Sequence, residues 1–122
     1  MSALRTCAVL ALAMIASRPL VAQVEYTVWD LGTFDGESFG YALNNSGETT
    51  GKSKTEASQF HAFFRQASLL SSPTDLGTFG GSESFGYGLN DAHQVAGWSR
   101  DAEQNFRAFR WNDSNGNSSP DS

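Results

Sequence analysis

Gly36-Glu37-Ser38-Phe39-Gly40 fits the Gly-x-Ser-x-Gly pattern of a nucleophile elbow. In that chemistry a strained strand-to-helix turn exposes the serine oxygen, and an acid and a histidine from later in the chain activate it. The surroundings argue against it here. The pattern returns as Ser82-Glu83-Ser84-Phe85-Gly86, so duplication of a unit accounts for the serine and the glycine without catalysis. No helical period follows, and a chain of 122 residues is too short for that hydrolase fold. Serine hydrolysis is therefore the last of the readings weighed, and no catalytic residue is assigned.

Other reactive side chains are few. His61 and His93 are the only histidines and fall at different places in their units, whereas a metal site needs three or four convergent ligands. Asp30 and Asp75 precede Gly-Thr turns, where a carboxylate accepts backbone N–H bonds. With Glu37 and Glu83 they could line a calcium loop, but the ordered acidic spacing of such a loop is absent. No metal and no cofactor is expected. The aromatic residues are more suggestive. Most of them must form core, but Trp98 stands where the first copy has Lys52, so the unit does not require it. Trp98 and Trp111, with Arg100 and Arg110, are the candidate ligand-binding residues: an exposed indole beside a guanidinium can stack on a sugar ring.

The elements that carry these residues come in two copies. Asp30-Leu31-Gly32-Thr33-Phe34 recurs as Asp75-Leu76-Gly77-Thr78-Phe79. Ser38-Phe39-Gly40-Tyr41-Ala42-Leu43-Asn44 recurs as Ser84-Phe85-Gly86-Tyr87-Gly88-Leu89-Asn90. Gly51-Lys52-Ser53 matches Gly97-Trp98-Ser99, and Phe60-His61-Ala62-Phe63 matches Phe106-Arg107-Ala108-Phe109. The period is about 45 residues with one residue inserted near Gly81, which suits a four-stranded propeller blade or a paired-helix unit. Large residues at every second position in Phe39-Gly40-Tyr41-Ala42-Leu43 choose strands. Asn44-Asn45-Ser46-Gly47 supplies turn chemistry between two such runs. Four strands per unit are expected: residues 24–31, 39–43, 48–52 and 61–64, then a short one near 74–76 followed by 85–89, 94–98 and 107–111. His93 replaces the turn glycine Gly47, which predicts a reshaped second turn.

These spaced motifs, ending in His61-Ala62-Phe63, resemble the bacterial extracellular HAF repeat over residues 29–111. The resemblance implies exported bacterial proteins, no established activity, and propeller-like blades. Arg107 stands where the first copy has His61, which weakens a functional role for that histidine.

The beginning of the chain reads as a leader. Arg5 precedes the apolar run Cys-Ala-Val-Leu-Ala-Leu-Ala-Met-Ile-Ala of residues 7–16, too short to span a bilayer, and cleavage is expected after Ala22. Removal takes away Cys7, the only cysteine, and with it any disulfide. It also removes Arg5 and Arg18, so 8 basic residues become 6 against 13 acidic ones, a net charge of −7. That balance excludes nucleic acid as a partner, since phosphate binding needs clustered Lys and Arg. No second apolar run supplies a membrane anchor, so a secreted or periplasmic product is expected.

The sequence thus predicts an all-β chain of two four-stranded propeller-like blades after a signal peptide. Residues 1–22 are the leader, 23–66 and 67–111 the two units, and 112–122 a disordered polar tail. Two blades do not cover their own faces, and propellers use about four to eight. The segment before Asp30 is expected to complete the last blade, of the same chain or of a neighbour. A homo-oligomer, three chains making six blades for example, would close the ring; a piece of a longer array is the other expectation. The predicted function is a non-enzymatic binding or assembly module, with a lectin-like glycan-binding oligomer as the alternative.

Overall fold

The computed structural model describes residues 21–114. These residues are all-β, without a helix, in seven strands: β1 (Ser38–Leu43), β2 (Thr49–Lys54), β3 (Phe60–Arg65), β4 (Thr74–Asp75), β5 (Gly80–Leu89), β6 (Gln94–Asp101) and β7 (Phe106–Asn112). They form two antiparallel sheets, β1-β2-β3-β4 and β5-β6-β7, and neither closes on itself. β5 packs against β1, β2 and β3 and joins the two sheets.

Three expectations need correction. Residues 24–31 are not a strand, so the second sheet has three strands and the first sheet takes its fourth, β4, from the approach to the second Asp-Leu-Gly. A run of alternating apolar residues satisfies its backbone only beside a partner strand, and none of the described strands pairs with this one. The stretch read as tail begins too early: Asn112 pairs with Gln94 in the β6–β7 ladder and Asp113 is buried. The second turn is not reshaped. His93 keeps the left-handed backbone of Gly47, with φ of 59° against 79°. The leader, apart from Val21 and Ala22, and the tail after Ser114 lie outside the described residues.

The two sheets use the same local bonds. Asn44 Oδ1 accepts the N–H groups of Ser46 and Glu48, and Asn90 Oδ1 those of Ala92 and Gln94, so each asparagine holds the β-turn after it. Ser53 Oγ accepts the N–H of Phe34 and Ser99 Oγ that of Phe79, each at 2.9 Å, which ties each Asp-Leu-Gly-Thr-Phe turn to its sheet. Gly51 and Gly97 sit opposite Gly40 and Gly86 in the ladders. A side chain at either would run into the backbone carbonyl of Phe39 or Phe85, which explains the glycine of both Gly-x-Ser motifs.

The apolar core is small: Ala62, Phe63, Phe64, Val95 and Trp111. Phe64 of the first sheet meets Trp111 of the second with ring centroids 4.8 Å apart. Buried hydroxyls fill the rest. Thr50 donates to the Phe63 carbonyl, and Ser84 accepts the Ala62 N–H while donating to the Gly77 carbonyl.

Gly97→Ala should destabilise the fold by about 2 kcal/mol or more, because backbone has to move. Gly88→Ala, whose added carbon meets only the Ala96 side chain and carbonyl at 3.9–4.0 Å, should change stability by less than about 0.5 kcal/mol. Urea midpoints of the two variants compare them directly, and equal losses would refute the packing argument.

Candidate functional site

The serine, the histidines and the repeated aspartates singled out in the sequence each have a structural partner. Ser38 opens β1 and donates to the Gly32 carbonyl at 2.8 Å. His61 on β3 bonds through Nδ1 to the Asp75 carboxylate at 2.9 Å, which pins β4 to β3. His93 Nδ1 lies 2.7 Å from Glu48 Oε2 on the other sheet. Ser38, His61 and His93 thus belong to three separate pairs rather than to one relay. Asp30 and Asp75 accept the N–H groups of Gly32 and Gly77, two residues on. Among the described residues, no group of three or more His, Cys, Asp or Glu converges where an ion could sit.

The four candidate ligand-binding residues do not form one cluster. The ladder places Trp98 opposite Ala108, Arg100 opposite Phe106 and Ala96 opposite Arg110, so Trp98, Arg100 and Arg110 share one face of the second sheet. Trp111 pairs with Val95 on the opposite face and is core, 7% exposed. Trp98 is half-buried. Phe85 lies across it at 4.4 Å, and Phe106 meets it edge to face at 4.8 Å. Arg100 stands 4.2 Å over the Phe106 ring, bonds the Gln104 carbonyl at 2.8 Å and reaches Glu83 at 3.4 Å.

What the sequence did not reveal is that this face belongs to an aromatic row crossing both sheets. Phe39 meets Phe60 at 6.0 Å, and Phe60 meets Phe85 edge to face at 6.5 Å across the junction between the sheets. Lys52 holds the place that Trp98 takes in the second sheet, with its ammonium 4.4–4.9 Å from the rings of Phe39, Phe60 and Phe85. A second line of contacts runs beside it. Tyr41 stacks on Tyr87 at 5.2 Å. Asn44 Nδ2 donates to the Asn90 carbonyl at 3.0 Å, and Asn45 donates from its backbone and side chain to Asp91. Corresponding residues of the two copies therefore lie side by side. The two ends of the rows stay exposed: Phe39 and Tyr41 at one, Phe106 and Tyr87 at the other. The signal was present in the duplicated motifs, but the lateral order of the two sheets was not.

No protein-family model matches the chain, and no curated protein or solved structure shows significant similarity to it.

Three ionisable groups at the junction and turns are shifted. The Glu48 hydrogen bond, helped by the Glu48 charge, raises the pKa of His93 above 6.5. Hydrogen bonds from Asn45 lower that of Asp91 below 3.8, and a backbone bond from Asn105 together with Arg107 lowers that of Asp101. The sign follows from linkage. The His93 contribution is complete below the ordinary histidine value and is lost as pH rises through the raised one. The Asp91 and Asp101 contributions are complete above 3.8 and are lost as pH falls through the lowered values. Stability to urea should therefore be lower at pH 9 than at pH 6, and His93→Asn should remove most of that difference. An unchanged difference in the variant would exclude the His93–Glu48 pair as its source.

Proposed function

We propose that the protein is an exported, non-catalytic β-repeat module of the HAF type that acts by lateral association of its units. The observation that carries this reading is the junction between the two sheets. Residues able to do chemistry are engaged there in joining one unit to the next, as Asn44 to Asn90, Asn45 to Asp91 and Glu48 to His93. The outer ends of the same rows, with Phe106 62% and Phe39 44% exposed, offer complementary faces for further units. Propeller-like blades remain the arrangement that the repeat period favours.

Light scattering over a range of concentrations tests the reading. The protein should associate, and Phe106→Ser should weaken association roughly tenfold, the loss expected for one aromatic contact and its burial. A serine-directed fluorophosphonate should leave the chain unlabelled; labelling abolished by Ser38→Ala would restore the hydrolase reading.

A glycan-binding face is the second reading. It is favoured by the exposed Phe106 with Arg100 over its ring and Arg110 on the same face of the sheet. Binding on a glycan array that disappears in Phe106→Ala or Arg110→Ala, from a protein that stays monomeric, would select it over association.

A further inference from the structure

We infer that residues 24–31 of one copy of this chain add as a strand to the outer edge of β7 in a second copy, in the register that β4 holds against β3. This deepens the association reading and rests on it. The template lies within the chain. On β3, Phe63 pairs with Asp75 and Phe64 with Thr74, the Ala62 carbonyl accepts the Leu76 N–H, and the Ala62 N–H donates to Ser84. β7 repeats the sequence of β3, and Ala108 stands opposite Trp98 as Ala62 stands opposite Lys52. The same backbone groups of Ala108 therefore face outward, where none of the described strands pairs with them.

Burial records the difference. Ala62 and Phe63 are 0% and 1% exposed beneath β4 and β5, whereas Ala108 is exposed and Phe109 only half-buried. Phe109, Arg110 and Trp111 line one side of a largely apolar groove of about 130 Å³, with Leu76, Gly77 and Phe79 on the other. On the first sheet, Pro73 lines the corresponding groove with Leu31, Gly32 and Arg65, 3.5 Å from a side-chain carbon built on Gly32. Counting back from Asp30 as Pro73 counts back from Asp75, the residue that would line the groove in the same way is Val28 of the second copy.

The segment that would pair has what the edge lacks. Val24, Tyr26 and Val28 alternate and are 70–94% exposed, an apolar face with nothing against it among the described residues. The charges also match. His61 pairs with Asp75, so Arg107 would meet Asp30 of the second copy. The Arg107 side chain bonds Asp101 through Nε but is 63% exposed, with its terminal nitrogens available to a second carboxylate. Ser38, whose hydroxyl donates only to the Gly32 carbonyl here, would accept the N–H of Ala108 from the other copy, as Ser84 accepts that of Ala62. The contact is head to tail, so each copy offers one segment and one edge.

Trp29 and Arg110 correspond to the paired Thr74 and Phe64. The test is the full chain carrying Trp29→Cys and Arg110→Cys, with Cys7→Ser so that its 122 residues hold no other thiol. Mild oxidation should give disulfide-linked multiples of the chain on a non-reducing gel. Val24→Cys with Arg110→Cys, off register by five residues, should give at least tenfold less. Asp30→Arg should weaken association roughly fivefold, and pairing it with Arg107→Asp should restore it. Equal cross-linking in both pairs, a disulfide formed within one chain, or a wild-type monomer at the highest concentrations would overturn the strand exchange. Association that persists without register-specific cross-linking would overturn it while leaving the association reading intact.

Discussion

One buried hydroxyl holds the arrangement together. Ser84 Oγ accepts the Ala62 N–H of the first sheet and donates to the Gly77 carbonyl of the turn that begins the second, at 1% exposure. Few apolar residues surround it, so the sheets cannot meet on hydrophobic area alone. Losing that oxygen would leave the buried Ala62 N–H without a partner, an expense of about 1–3 kcal/mol, and would also break the bond to the half-buried Gly77 carbonyl. The path of β4 and the lateral placement of β5 beside β3 both pass through this point, and the paired rows of Phe, Tyr and Asn follow from that placement. The serine that looked like a nucleophile, Ser38, is the counterpart of this joint and donates to the Gly32 carbonyl as Ser84 donates to that of Gly77.

Much of this was legible in the sequence. Period-two alternation located β1 and the C-terminal part of β5, the Gly-x-Ser motifs lay within β2 and β6, and Asn44 and Asn90 marked the turns. Those signals are local: side chains alternate within a strand, and an asparagine bonds two residues ahead. The misreadings were all matters of partnership. Residues 24–31 carry a strand pattern, but a ladder needs a neighbour, which no residue pattern within the segment supplies. Trp111 was grouped with Trp98 by residue type, whereas their odd spacing along neighbouring antiparallel strands puts them on opposite faces, and Phe64 of the other sheet makes Trp111 core.

His93 shows the same limit from the other direction. A histidine in place of a turn glycine carries a conformational cost of about 1 kcal/mol, which argued for a different turn. The bond to Glu48 offsets that cost, and Glu48 belongs to the other unit, 45 residues earlier. Lys52 and Trp98 make a comparable case. One is charged and one is aromatic, yet both fill the same position against flanking phenylalanine rings, because an ammonium and an indole are each attracted to aromatic surface. Composition distinguishes such residues more sharply than their environment does.

The residue inserted in the second unit has a definite location. β5 begins at Gly80, opposite Asp101, and its register shifts before Ser84 pairs with Ser99. That shift takes up the extra length as a bulge between the turn and the strand proper, next to Gly80, whose φ of 101° is close to the 97° of Gly36 in the first unit. Downstream, Ser84, Gly86 and Leu89 face the same partners that Ser38, Gly40 and Leu43 face in the first sheet. The bulge therefore acts as a slack coupling: contour length in the connector varies independently of phase in the strands. A unit of this kind can change its residue count at that one place and still present an unaltered face to its neighbour.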